Sequence, residues 1–195
     1  MFRTSRLNPV VVPLIALVAV LTLACYRVEA QVKPFKVKGG GNAPEGLSVV
    51  GGVSPYTASG KATHLGKYSG FGIAQVTGMD VEPTDPDAIF TGSFTGGFVF
   101  VAANGDRLVC EHPGTFGVYS DGHGGLFAIF DAIFSPTSLT IDDTTYKSTG
   151  RFANVSGNFR MIAITKSFTI DMTAGATTAF DFEWQGEGSF SFPKK

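Results

Sequence analysis

Beyond residue 30 the chain carries three histidines, His64, His112 and His123, and one cysteine, Cys110. An imidazole can act as acid or base near neutral pH, and a thiolate can act as a nucleophile. No two of the histidines stand two or four residues apart, and there is no H-E-x-x-H or C-x-x-C, so no zinc site is expected. Neither acidic loop, residues 79–87 or 121–125, has the D-x-[DN]-x-[DN]-G spacing of a calcium loop. No G-x-S-x-G elbow occurs, and residues 39–41 are a glycine tract without the strand and helix that a phosphate cradle needs. No catalytic residue, metal or cofactor is therefore assigned. The candidates that remain are ligand-binding ones: His64, Cys110, His112 and Trp184.

Each candidate has a plainer alternative. His112 shares a strand face with Leu108 and Cys110, where it either serves a cavity or is a buried ring satisfied by one hydrogen bond. Cys110 reads more readily as a small buried apolar group than as a nucleophile. His64 sits at a turn, either as a polar anchor in a barrel mouth or as a fixture of the hairpin backbone.

The elements that hold these residues are strands. Residues 180–192 read F-D-F-E-W-Q-G-E-G-S-F-S-F, with Phe180, Phe182, Trp184, Phe190 and Phe192 on one face and polar residues on the other. At about 3.3 Å per residue such a strand is roughly 43 Å long, and it must coil. Residues 89–103 repeat the pattern of phenylalanine and glycine. Asn104-Gly105 is the signal of a hairpin with a type I′ turn, since both residues tolerate positive φ, and the return strand runs to His112 and ends at Pro113. Residues 58–65 and 68–76 form another hairpin. Residues 126–134 are apolar on both faces except at Asp131, as for a strand covered on both sides. No segment after residue 30 keeps a helical apolar period. The pattern predicts an all-β chain of seven or eight antiparallel strands, closed as a barrel.

Residues 1–30 read as a signal peptide, with Arg3 and Arg6 before an apolar stretch and Val28-Glu29-Ala30 as the cleavage site. A membrane anchor and lipid attachment at Cys25 are the alternatives. Residues 31–56 read as a flexible arm, and residues 57–195 as one barrel domain. Without the leader, 12 basic and 15 acidic side chains remain, which gives no reason to expect a nucleic-acid or anionic-membrane partner. One remaining cysteine allows no internal disulfide, so the domain rests on its core, to which 17 phenylalanines can contribute.

Residues 60–70 (G-K-A-T-H-L-G-K-Y-S-G), 102–108 (A-A-N-G-D-R-L) and 149–157 (T-G-R-F-A-N-V-S-G) resemble segments of small secreted bacterial β-barrel proteins. The last is similar to a turn of the plant allene oxide cyclase and dirigent barrels, with Gly150 and Gly157 at the turn glycines. The resemblance implies an eight-stranded, calycin-like barrel with a central cavity, and it carries over no catalytic residue. Three functions are consistent with this reading. The first is a secreted or periplasmic non-catalytic barrel that binds a small apolar ligand, as a monomer or a homo-oligomer. The second is a cyclase or isomerase acting on an apolar substrate inside the barrel, with His112 or Glu111 as its polar group. The third is a small outer-membrane barrel, because alternation alone does not say whether the phenylalanines face a core or lipid.

Overall fold

The computed structural model describes residues 31–48, 51–171 and 173–193. The expected signal peptide, including Cys25, lies outside the described residues. The strands are β1 (Gln31–Ala43), β2 (Val53–Ala62), β3 (Gly66–Asp80), β4 (Phe90–Ala102), β5 (Arg107–Glu111), β6 (Gly114–Ser120) and β7 (Leu126–Pro136). After them come the short pair β8 (Leu139–Ile141) and β9 (Thr144–Tyr146), a 3-10 turn (Gly150–Phe152), β10 (Ser156–Thr165), the short pair β11 (Ile170–Asp171) and β12 (Ala176–Thr177), and β13 (Phe180–Phe192).

These strands form an eight-stranded antiparallel barrel, closed where β10 pairs with β7. Nine strands make eight staves because β5 and β6 are one stave interrupted at Pro113. The register against β4 runs on unchanged, from Gly97↔Glu111 to Phe94↔Gly114, and so does the register against β7. Pro113 lacks only its own N–H. The flanking bonds persist, from His112 N–H to Gly96 O at 2.9 Å and from Ile133 N–H to Pro113 O at 3.1 Å. The proline therefore does not end the strand as expected, and His112 sits in the middle of a long stave.

The arm expected over residues 31–56 is corrected by β1, which pairs with β13 from Gln31↔Phe192 to Ala43↔Phe180. Phe35 and Val37 point inward and Lys36 and Lys38 outward. Three consecutive glycines hide this alternation, and close packing leaves no room for a Cβ at any of them. A Cβ on Gly39 would lie 2.6 Å from the Tyr68 hydroxyl and strike Ser59 O. One on Gly41 would lie 2.8 Å from the Phe182 ring and strike Thr57 O. Pro34 falls in the part of β1 that pairs with β13 alone, where a missing N–H is tolerated as on an edge.

The interior is aromatic. Phe35, Phe98, Phe100, Phe152, Phe159 and Phe190 are fully buried, with ring pairs such as Phe35–Phe159 at 4.8 Å and Phe98–Phe100 at 4.6 Å. The outward face at mid-strand carries the exposed side chains of Lys38, Lys61, Glu183 and Gln185. The lipid-facing band of an outer-membrane barrel is apolar, and these charged and polar side chains do not suit one.

Two further expectations are corrected. The outer face of β7 has no second layer over it: Ile133 is exposed, and Asp131 makes a two-pronged ion pair with Arg160 of β10. The covered patch lies instead on β4 and β5, where Val99 and Val109 face outward yet are fully buried. There Leu139 of β8 lies against Gly97, and Tyr146 of β9 meets Phe71 at 5.2 Å. The Asn104-Gly105 turn is also not type I′, since Gly105 alone has positive φ (83°) and its N–H bonds Ala102 O at 2.9 Å. That is a tight turn ending in a left-handed glycine, one residue longer than the two-residue form.

Candidate functional site

At the end that holds the β2–β3 and β4–β5 turns the interior carries the fully buried rings of Phe35, Phe100, Phe159 and Phe190, and a hollow lies at the other end. The hollow, about 80 Å³ and open at its end, lies where β1 finishes and β2 and β13 begin. Its wall is almost wholly apolar and includes Tyr56, Phe94, Phe130, Phe182, Trp184 and Met161. Leu47 and Phe180 border it at the rim. Leu47 is fixed by its N–H donating to Thr177 Oγ1 at 2.8 Å and by Thr177 N–H donating to Leu47 O at 3.0 Å. Gly46 is needed at this tie, because its φ is +70° and a Cβ there would lie 2.6 Å from Thr177 Oγ1. A void of about 10 Å³ lies next to the cavity, behind Leu47, Phe130 and Phe180.

One polar pair is built into this wall. Tyr56 Oη and His112 Nε2 lie 2.7 Å apart. Tyr56 belongs to β2 and His112 directly follows β5 in the interrupted stave, with β3 and β4 between them, and the register explains how they meet. Tyr56 pairs with Gly72, Gly72 with Phe98, and Phe98 with Cys110. In the adjacent row Ser54 pairs with Ala74 and Ala74 with Gly96, and Gly96 O takes the His112 N–H. Gly72, Ala74 and Gly96 form a floor of small residues across which the two rings extend. A Cβ on Gly72 would lie 2.8 Å from the Tyr56 ring, and one on Gly96 would strike the His112 ring. Tyr56 stacks on Phe98 (5.3 Å, 18°) and His112 on Phe134 (4.6 Å, 27°), which fixes both rings.

Burial decides the electrostatics. His112 is 2% exposed, and loss of solvent pulls its pKa down to about 4, against a smaller opposing pull from the carbonyls of His112 and Gly97. The ring is therefore neutral at ordinary pH. Burial, with the Cys110 thiol beside it, holds the Tyr56 phenol well above its usual value. Among the described residues His112 Nδ1 has no hydrogen-bond partner.

The four candidates fall in three places. His112 and Trp184 are brought together on the cavity wall. Trp184 Nε1–H donates to Tyr68 Oη at 2.7 Å, and burial pushes the Tyr68 phenol up to about 12. Cys110 is fully buried and is not part of the wall; burial pushes its thiol up, as for an inert cysteine. His64 is at the packed end, in the β2–β3 turn with φ 69°, its ring 5.2 Å from Phe192. It does not reach the cavity. Glu111 points out to solvent, away from the interior. Tyr56 is the residue that sequence reasoning missed, because it fell within the expected arm. The available signal was its even spacing with Ser54 and Ala58, all three on the inward face.

Among the described residues no group of three or more His, Cys, Asp or Glu is placed to hold a metal ion. In comparisons with known proteins, no family model, no curated protein and no solved structure matches this chain.

Proposed function

We propose that this chain is an exported, non-catalytic β-barrel that binds a small apolar ligand in the aromatic cavity at its open end. The observation that carries the reading is the contrast between the two ends. A chain with this many phenylalanines buries its rings fully at one end, yet leaves the other hollow behind a tied rim. Ligand sites are concave and mostly apolar, with few polar groups. The hollow, about 80 Å³, is smaller than the engineered cavity of about 150 Å³ that accepts benzene, so it takes only part of a ring or a short branched chain. The open end leaves room for a longer ligand to project outward.

The cyclase or isomerase reading has one supporting feature, His112 in the wall. Against it, no carboxylate among the described residues lines the cavity, the imidazole is held neutral far below its usual range, and the phenol is held protonated. A proton-transfer site is tuned toward the working pH, and this pair is tuned away from it. Export rests on the leader sequence, and the resemblance to secreted barrels agrees with it.

A ligand that binds only the folded state raises the melting temperature with its concentration. Thermal melts in saturating cyclohexane test the reading. A concentration-dependent rise is expected, and an unchanged melt contradicts it.

A further inference from the structure

The outward face of the barrel is charged on β1, β2 and β13, where Lys36, Lys38, Lys61, Glu183 and Glu187 stand exposed. On the opposite wall it is different, and the register shows how. One row of paired residues runs Asp80, Thr91, Gly117, Ile129 and Ile164, from β3 through β4, β6 and β7 to β10. The next row runs Gly78, Ser93, Thr115, Asp131 and Ile162. The middle of each row is small and its β10 end is large, so the wall is a groove beside a ridge. The groove, about 550 Å³, has these small residues as its floor and is bordered by Met79 and Tyr119. The ridge is formed by Ile162 and Ile164 of β10 with Ile133 of β7. Ile133 is 41% exposed and Ile164 50%, and no element covers them.

Charge follows the same division. Asp80 and Asp131 line the groove, and among the described residues no basic side chain does. On β10 the two isoleucines stand between Arg160 and Lys166, whose side chains are mostly exposed. Ridge and groove therefore complement each other in shape, apolarity and charge while lying side by side on one wall. A two-fold rotation lays the ridge of each copy in the groove of the other. An apolar patch with a polar rim marks an interaction site. We propose that this wall is an isologous contact between two copies of the chain, with the cations of each ridge toward the carboxylates of the facing groove. Four strand gaps and seven residues along β7 span about 19 Å by about 20 Å. That is roughly half of the ~800 Å² per partner in a standard interface, so the dimer is a transient one.

Sedimentation equilibrium of the wild-type chain tests this. Between about 10 μM and about 1 mM the mean mass is expected to rise from one copy toward two and no further, as for a small interface. Ile164→Asp puts a carboxylate on the ridge, and Thr115→Arg puts bulk and a cation in the groove. Both positions are exposed, so the fold is kept, which their thermal melts check. A two-fold contact contains each substitution twice, and each variant is expected to weaken the dimer more than tenfold. Val32→Asp, at an exposed apolar position on β1, is expected to leave it unchanged. A wild type that stays monomeric throughout this range overturns the proposal. So does a dimer that survives both wall variants, or one that Val32→Asp weakens equally. Growth beyond two copies overturns the two-fold arrangement. Should the wall variants not fold, amide shifts of the wild type on dilution give the answer. Changes are expected on β4, β6, β7 and β10, and changes confined to other strands overturn the proposal.

Discussion

Tyr56 and His112 meet at 2.7 Å across two intervening strands because the residues beneath their rings are Gly72, Ala74 and Gly96. The bond is thus set by what is missing from β3 and β4 as much as by its own partners. A methyl group on Gly96 would strike the His112 ring and Ile73 O. Gly96→Ala is expected to cost about 1–3 kcal/mol, as overpacking does. A lower urea midpoint at unchanged slope would report it, and an unchanged midpoint would show that the ring moves aside freely.

Acid should weaken the fold through His112. Its folded pKa, about 4, lies below the ordinary 6.5, so the unfolded chain binds the proton more readily. The stabilisation is complete above pH ~6.5 and is lost as pH falls toward 4, for a total of about 3 kcal/mol. His64 is also shifted down, chiefly by burial, and adds to the same trend. His112→Gln should therefore flatten the loss measured by urea unfolding between these pH values without abolishing it. A variant with the wild-type slope would place the acid sensitivity elsewhere. Asp121 and Asp131 are held below their ordinary values, by Ser167 and Arg160 respectively, and matter only at lower pH.

Much of this architecture was legible in the chain, and the exceptions have physical causes. Strand β13 announced itself because its inward side chains are large and its outward ones polar. The same rule built β1, but Gly39, Gly40 and Gly41 carry no side chain to show it, and a strand looked like a linker. Pro113 read as a stop because a proline usually ends pairing, although here it costs the stave only one donor. The cavity was the least legible part. Trp184 and His112 were expected inside, but which end of the barrel is hollow depends on how closely rings pack, and no pattern in the sequence encodes that. Tyr56 was missed together with β1, since the boundary of the supposed arm ran through residue 56.

His64 provides a control at the far end. It holds φ 69°, a conformation that costs a non-glycine residue about 1–2 kcal/mol, while glycine pays roughly 0.5–1 kcal/mol in entropy. His64→Gly should leave stability unchanged or raise it by up to about 1 kcal/mol, and leave cyclohexane binding untouched. A large loss in the thermal melt would mean that the contact with Phe192 holds that end of the barrel closed. Lost binding would mean that the two ends are coupled.

The proposed ligand site at the hollow end has its own reporter: Trp184 is the only tryptophan in the chain and lies on the wall. Ala163, paired with Trp184 across β10 and β13, lines the same space, so Ala163→Leu fills it. The measurement is Trp184 emission during titration with cyclohexane in the wild type and in Ala163→Leu, with folding of both checked by their melts. A saturable change is expected in the wild type, and its loss in the filled variant while that variant remains folded. No saturable change in the wild type, or the same change in both proteins, would contradict it.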